Sequence, residues 1–341
     1  MTVQVEDRER TLRLALADTL ADEGALRDDR WRKAVEEVPR HVFVPAYWRL
    51  RAFADAALTV QMTDGVATSS STAPSLMLRM LEALDIEDTA LVQEIGTGAG
   101  YNTALLCLRL SSEQVVTVEV DSQLADAAEA RLNMLGWHPA VRVGDGALGV
   151  VGTRRFDALI ATCAMPDIPG AWLTQTRPGA VLVVPVDTGV VRLVRDENGT
   201  ASGSFQPWPA FFMATRDAGG TGAVPYPGEP ASVTERSTNL EPHEVAADNF
   251  AFACSLLLPH TACGRTFGPD GQVTSMRLWD REGAWADVAD GTVRQAGPGH
   301  LWDEVEVLWA KVTGDCGRPP ARNQYGMTVT PDGVSVWLDH P

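Results

Sequence analysis

The sequence predicts an α/β fold: a doubly wound, mostly parallel sheet followed by a smaller α+β unit. Three observations predict it. Leu91-Val92-Gln93-Glu94-Ile95 is a short apolar strand that runs into Gly96-Thr97-Gly98-Ala99-Gly100, and Tyr101 to Leu106 then reads as a helix. Further β-rich runs follow at Val115–Asp121, Ala140–Val143 and Phe156–Thr162, each ending in residues that carry chemistry. Beyond a glycine- and proline-rich break at Ala218–Pro230 the composition remains globular, so a second unit follows and not a tail.

Taken in order, Glu6–Ala25 reads as an amphipathic helix, with Leu12, Leu16 and Leu20 at four-residue spacing. Asp29 is expected to cap a second helix through Glu37, which ends before Pro39. A loop over 55–74 leads to a helix at 75–84, and the sheet with its helices occupies 90–213. Within that span, Thr188–Phe212 looks like paired strands about the turn Asp196-Glu197-Asn198-Gly199, with Phe211-Phe212-Met213 as a terminal strand. In the second unit Leu301, Val305, Leu308 and Val312 mark a helix, and Met327–Leu338 is a hairpin about Pro331-Asp332-Gly333. The expected organisation is therefore residues 1–217, with N-terminal helices in 1–45, then a linker at 218–230 and an accessory α+β unit at 231–341. The tryptophans of that unit, Trp279, Trp285, Trp302, Trp309 and Trp337, read as core; a shared exposed patch for a peptide is the functional alternative.

Composition narrows the partners. A formal net charge of −17 argues against non-specific nucleic-acid binding and against an anionic membrane surface, and is compatible with a basic or neutral peptide. Cys107, Cys163, Cys254, Cys263 and Cys316 are odd in number and widely spaced, and the histidines show no ligand spacing, so neither a disulfide framework nor a metal site is expected. The charged, polar N-terminus and the lack of an apolar run of spanning length predict a cytoplasmic protein with free thiols.

The glycine loop lets backbone approach a ligand closely, and the helix behind it presents unpaired N–H groups. Glu119 stands about 20 residues past the glycines, where doubly wound folds set an acid against ribose hydroxyls. Gly144-Asp145-Gly146 ends the third run and Thr162-Cys163 the fourth, all at the sheet edge where open α/β folds bind ligands. Glu119 for a ribose and Asp145 for an adenine amine suit one nucleoside, without the second half that a dinucleotide needs. This ordered set resembles that of Rossmann-like class I S-adenosylmethionine methyltransferases. The resemblance implies S-adenosyl-L-methionine as cofactor, held by Glu94, Gly96, Thr97, Gly98, Gly100, Asn102, Glu119, Val120, Gly144, Asp145, Gly146 and Thr162.

Three further segments narrow it: Val38-Pro39-Arg40-His41-Val42-Phe43-Val44-Pro45, Ala67-Thr68-Ser69-Ser70-Ser71-Thr72-Ala73-Pro74 and Arg177-Pro178-Gly179-Ala180-Val181-Leu182. With the glycine loop they resemble the protein-L-isoaspartate O-methyltransferase family over Asp28–Val186. That family methylates isoaspartyl carboxylates, using a hydroxyl in a Ser-Gln-Pro-like motif before a helix. The matching triplet here is Thr72-Ala73-Pro74, which keeps a hydroxyl and replaces the amide by Ala73, changing the acceptor pocket. Thr72 and Ser71 are the expected catalytic hydroxyls; Ser69, Ser70, Ala73, Cys163 and Met165 are the expected substrate contacts, with no nucleophilic role for Cys163. The competing reading of Ser69–Thr72 is a cap for the following helix. His41 is expected to hold the substrate loop.

Segments of the second unit, Leu301-Trp302-Asp303-Glu304-Val305-Glu306 and Tyr325-Gly326-Met327-Thr328-Val329-Thr330, are similar to methyltransferases that accompany lanthipeptides and ω-ester-linked graspetides. The resemblance implies methylation of an aspartate side chain in a modified, macrocyclic precursor peptide, with collapse of the ester to an aspartimide. Repair of isoaspartyl damage is the alternative; a small-molecule methyltransferase and a non-catalytic module that holds a precursor peptide are further ones.

Overall fold

The computed structural model describes residues 2–150, 152, 155–213, 224–259, 261–314 and 317–340. Part of the expected linker (218–223), Cys316 and His260 lie outside the described residues. The chain runs α1 (Thr2–Asp22), α2 (Asp29–Glu37), β1 (Leu58–Thr63), β2 (Val66–Ser71), α3 (Pro74–Ala83), β3 (Val92–Ile95), α4 (Tyr101–Arg109), β4 (Val115–Glu119) and α5 (Ser122–Met134). It continues through β5 (Ala140–Val143), β6 (Phe156–Ala161), α6 (Gly170–Gln175), β7 (Thr176–Val186), β8 (Gly189–Arg195) and β9 (Ala201–Ser204). After the break come β10 (Thr234–Ser237), α7 (Pro242–Val245), α8 (Asp248–Leu257), β11 (Ala262–Phe267), β12 (Val273–Trp279), β13 (Trp285–Ala289) and β14 (Thr292–Ala296). The last elements are α9 (Leu301–Thr313), β15 (Tyr325–Thr330) and β16 (Gly333–Leu338).

The main sheet has nine strands in the order β16-β15-β9-β8-β7-β6-β3-β4-β5. β7, β6, β3, β4 and β5 are parallel; the other four are antiparallel. From β3 the chain first winds outward to β5 and then returns to β6 on the other side, so a crevice opens beyond the C-terminal ends of β3 and β6. Every residue of β3 and β4 is buried, as a central parallel strand covered on both faces requires.

One face of this sheet packs with α1 to α4 through Leu20, Trp31, Leu81, Leu105 and Leu106. The other face joins the C-terminal region in one continuous core, in which Leu182, Val191 and Phe205 meet Phe250, Phe252, Trp302 and Val305. Phe205 and Phe252 stack edge to face with centroids 4.9 Å apart. A second, five-stranded antiparallel sheet, β10-β14-β13-β12-β11, lies beyond α9. Trp285 and Trp302 are fully buried and the other three tryptophans of this region are half-buried, so the exposed tryptophan patch does not form.

Three details differ from the sequence reading. The hairpin of β15 and β16, expected in the accessory unit, pairs with β9 (Met327 opposite Gly203) and completes the edge of the main sheet. The cap of α2 is Asp28, whose side chain accepts from the Arg30 N–H, and Asp29 is already inside the helix. The expected loop at 55–74 is largely the β1–β2 hairpin, turning through Asp64 and Gly65 at positive φ.

Candidate active site

A cavity of about 360 Å³ occupies the crevice, between the ends of β3, β4 and β6 on one side and β2 with the start of α3 on the other. On the sheet side the chain leaves β3 through Gly96 at φ +91°, where a Cβ atom would stand 2.8 Å from the Thr162 Oγ1. The N–H groups of Gly96 and Thr97 both donate to the Val118 carbonyl, at 2.8 and 3.2 Å. Glu119 closes the loop: its carboxylate accepts from the N–H of Gly98 at 2.8 Å and from that of Asp121 at 3.2 Å. Asp145 caps the next turn by accepting from the Ala147 N–H at 2.9 Å, and its carboxylate remains exposed on the cavity wall.

Glu94 lies beneath the loop and off the cavity wall. Its carboxylate accepts from Asn102 Nδ2 at 2.7 Å and from the Thr103 hydroxyl, and burial pushes its pKa up to about 7 against those bonds and the nearby Thr117 hydroxyl. Asn102 in turn faces the cavity. Burial, reinforced by the charges of Glu119 and Glu94, raises the Cys163 thiol to about 12, so it is a neutral wall group and not a nucleophile.

The opposite wall hangs on Arg40, whose guanidinium is buried in the turn after α2. It donates to the carbonyls of Ala54 (3.1 Å), Ala56 (2.8 Å), Ser71 (3.2 Å) and Thr72 (3.1 Å). His41, expected to hold this segment, packs its ring on Phe53 just ahead of it, with centroids 5.5 Å apart, and also sits 3.3 Å from the Glu9 carboxylate of α1. The hairpin is also tied across the cavity mouth, where Gln61 Nε2 donates to Asp121 Oδ2 at 3.0 Å. Ser69–Thr72 do not cap α3, whose first turn is capped instead by Asp55, its carboxylate accepting from the Ser75 N–H at 2.8 Å; Ser69, Ser70 and Ser71 belong to β2 and Thr72 follows it.

The structure gathers most of the expected residues on one cavity: Gly96, Thr97, Gly98, Asn102, Glu119, Val120, Asp145, Gly146, Thr162 and Cys163 on one side, Ser69 to Ala73 on the other. Gly100 and Gly144 support the loops from behind; Gly100 starts α4 at φ +93° and the Gly144 N–H donates to the Glu119 carbonyl at 2.9 Å. Met165 does not belong to the site. Its N–H bonds to the Pro185 carbonyl and its side chain is buried in the core, because after Ala164 the chain runs on parallel to the end of β7, with Met165 bridged to Val186.

Phe211, Phe212 and Met213, expected as a strand, form an irregular segment that lines the cavity, held where the Ala164 N–H donates to the Met213 carbonyl at 2.8 Å. The available signal is their lack of polar alternation, which a half-buried strand would show. Leu76 and Met77 of α3 complete an apolar side. Among the described residues no cluster of His, Cys, Asp and Glu could hold a metal ion, and no helix is long and apolar enough to cross a membrane.

Residues 11–206 match the family model for protein-L-isoaspartate(D-aspartate) O-methyltransferase (PCMT). The chain belongs to this family. Similar relatives are protein-L-isoaspartate O-methyltransferase 1 of Archaeoglobus fulgidus, 34% identical over 57% of this chain and 88% of its own length, and the enzyme of Caulobacter vibrioides, 35% identical over 56% and 83%. A solved protein-L-isoaspartate O-methyltransferase shares the fold across 96% of this chain and 100% of its own, with a TM-score of 0.60 at 20% identity. A Plasmodium falciparum protein of the PCMT type, solved with S-adenosyl-L-homocysteine, aligns over 60% of this chain and 97% of its own, with a TM-score of 0.50 at 15% identity. This PCMT-family chain is an S-adenosylmethionine-dependent protein carboxyl O-methyltransferase with the class I methyltransferase fold, and S-adenosyl-L-methionine is its cofactor. The non-catalytic module is thereby set aside.

Proposed function

We propose that this enzyme methylates an aspartate side-chain carboxylate in a ribosomally made, modified precursor peptide, in the cytoplasm. The observation that carries the reading is the triplet Thr72-Ala73-Pro74 on the cavity wall: it offers a hydroxyl to a carboxylate but no amide beside it. The cofactor fits the opposite wall. Gly96 leaves space that any Cβ would fill against Thr162, and Glu119 and Asp145 stand on the same side as acceptors for ribose hydroxyls and an adenine amine.

When bound, S-adenosylmethionine supplies a methyl group on a cationic sulfonium. An aspartate carboxylate is already anionic at neutral pH, so the protein needs no general base. Its contribution is alignment: Thr72, with Ser71 beside it, donates a hydrogen bond that fixes one carboxylate oxygen, and Arg40 fixes Thr72. The apolar side formed by Leu76, Met77 and Phe212 excludes water from the reacting groups. The methyl ester is a better electrophile than the carboxylate. The next backbone nitrogen of the peptide can then attack its carbonyl carbon, expel methanol and close a succinimide.

Isoaspartyl repair is the second reading, favoured by the names of the relatives. A solved protein-L-isoaspartate O-methyltransferase aligns over 96% of this chain, so the likeness of fold extends through the C-terminal region. Matched peptides with aspartate or isoaspartate, incubated with S-adenosylmethionine and followed by mass, decide between them. Gain of one methyl followed by loss of methanol on an aspartyl macrocycle is expected; methylation of the isoaspartyl peptide alone would establish repair.

A further inference from the structure

A second cavity, of about 280 Å³, lies between α8, the inner face of β11 and β12, and the main sheet. Phe211, 74% exposed, lines this cavity and the first. The floor is apolar, built from the buried Val245, Met276, Leu278 and Val305. The rim carries the exposed Asp248 and Arg265, and the buried Arg322 lies beneath Asp248. Asp248 is engaged by Arg322 at 2.6 Å, and Arg322 also donates to the Thr188 carbonyl at 2.7 Å. Arg265 is exposed, with no carboxylate partner among the described residues. The lining thus has one more cation than anion, and the exposed one without a carboxylate partner is Arg265, on a protein of net charge −17.

The strand that forms one wall, β11, is the edge of its sheet among the described residues. Alternate residues there direct N–H and C=O groups outward, a template for an added strand, while Cys263 and Arg265 line the cavity. Edge hydrogen bonds suit any extended backbone, and a flanking pocket selects a side chain.

We propose that this cavity and the β11 edge form an exosite for a second segment of the peptide whose aspartate enters the first cavity. The segment is extended and carries an apolar side chain for the floor beside an acidic residue for Arg265. This assignment rests on the reading of the enzyme as a peptide carboxyl methyltransferase, and continuity through Phe211 is why a peptide and not a free small molecule is the occupant.

The test uses the full chain saturated with S-adenosylhomocysteine and two labelled peptide pools, followed by fluorescence anisotropy. One pool holds peptides with a single aspartate; the other adds a leucine–glutamate pair at varied distance from it. The second pool should bind about tenfold tighter. Ala251→Trp, which fills the cavity from α8, should abolish that gain and leave the first pool and cofactor binding unchanged. Arg265→Glu, at an exposed position, should transfer the preference to a leucine–lysine pool. Equal binding of the first two pools by the wild type, a gain that survives Ala251→Trp, or a dimer that Ala251→Trp converts to monomer would each overturn the exosite. Methyl transfer measured on the same pools separates the two assignments: a binding gain without any methylation removes the aspartyl-methylation reading and leaves the exosite standing.

Discussion

The Nη2 atom of Arg40 lies 3.1 Å from the main-chain oxygen of Thr72. The same guanidinium reaches the carbonyls of Ala54, Ala56 and Ser71, so one buried cation gathers both ends of the hairpin-bearing segment around itself. Carbonyl dipoles satisfy its donors without neutralising its charge. The Asp55 carboxylate lies close enough to act on that charge and offsets part of it.

Arg40→Lys should test this arrangement. An ammonium has three donors at one point and cannot span four carbonyls, so buried acceptors are left unpaired at a cost of about 3 kcal/mol. The melting temperature should fall, and methyl transfer should drop about a hundredfold through displacement of Thr72. Unaltered turnover in a folded variant would mean that the position of Thr72 does not depend on Arg40.

Thr72→Val keeps the shape and removes the hydroxyl. Turnover should fall about tenfold to a hundredfold with cofactor affinity unchanged, and Thr72→Ser should restore most of it. Calorimetric titration of S-adenosylmethionine beside a turnover assay reads both quantities. A loss confined to affinity would assign Thr72 to the cofactor.

The parallel strands and the glycine loop are legible in the sequence because burial on both faces writes continuous apolar runs, and positive φ selects glycine. Glu119 and Asp145 are legible from their position after such runs. The role of Arg40 is not, because a guanidinium bound mainly to main-chain oxygens leaves little trace of its partners in the sequence. Met165 misleads for a related reason: both a cavity wall and a core accept methionine, and only its parallel bridge to Val186 at the end of β7 decides. The hairpin at β15 and β16 reads correctly as a hairpin, but its pairing with β9 is a contact between Thr328 and Ser202 far apart in the chain, which local pattern cannot encode.

Gly96→Ala should cripple the loop from within. The residue sits at φ +91° and a methyl group would stand 2.8 Å from the Thr162 hydroxyl, whose own bond to the Gly96 carbonyl holds β6 against the loop. Backbone strain alone costs about 1–3 kcal/mol. Thermal unfolding should show that loss together with weakened cofactor binding. A variant of wild-type stability and affinity would show that the loop relaxes freely.

Glu119→Ala and Asp145→Ala should differ in size. Glu119 is buried, holds the Gly98 N–H and faces the cavity, so its removal disturbs the loop as well as a ligand contact. About a hundredfold weaker S-adenosylmethionine binding is expected, against about tenfold for the exposed Asp145. The reverse order in calorimetry would mean that the adenine side, and not the ribose side, dominates recognition.

Glu94 should make stability depend on pH. Burial raises its pKa to about 7 from the ordinary 4.5. Between those values the folded protein retains a proton that the unfolded chain releases, so stability falls as pH rises through this window and levels off above about 7. The full difference is about 3 kcal/mol, because each tenfold change in proton affinity is worth roughly 1.4 kcal/mol. Glu94→Gln removes the charge at every pH while keeping an oxygen to accept from Asn102, so its denaturation midpoint should lack this component of the slope between pH 5 and pH 7. If wild type and variant lose stability in parallel over that range, Glu94 is ionised throughout it, and the bonds from Asn102 and Thr103 outweigh the burial that opposes them.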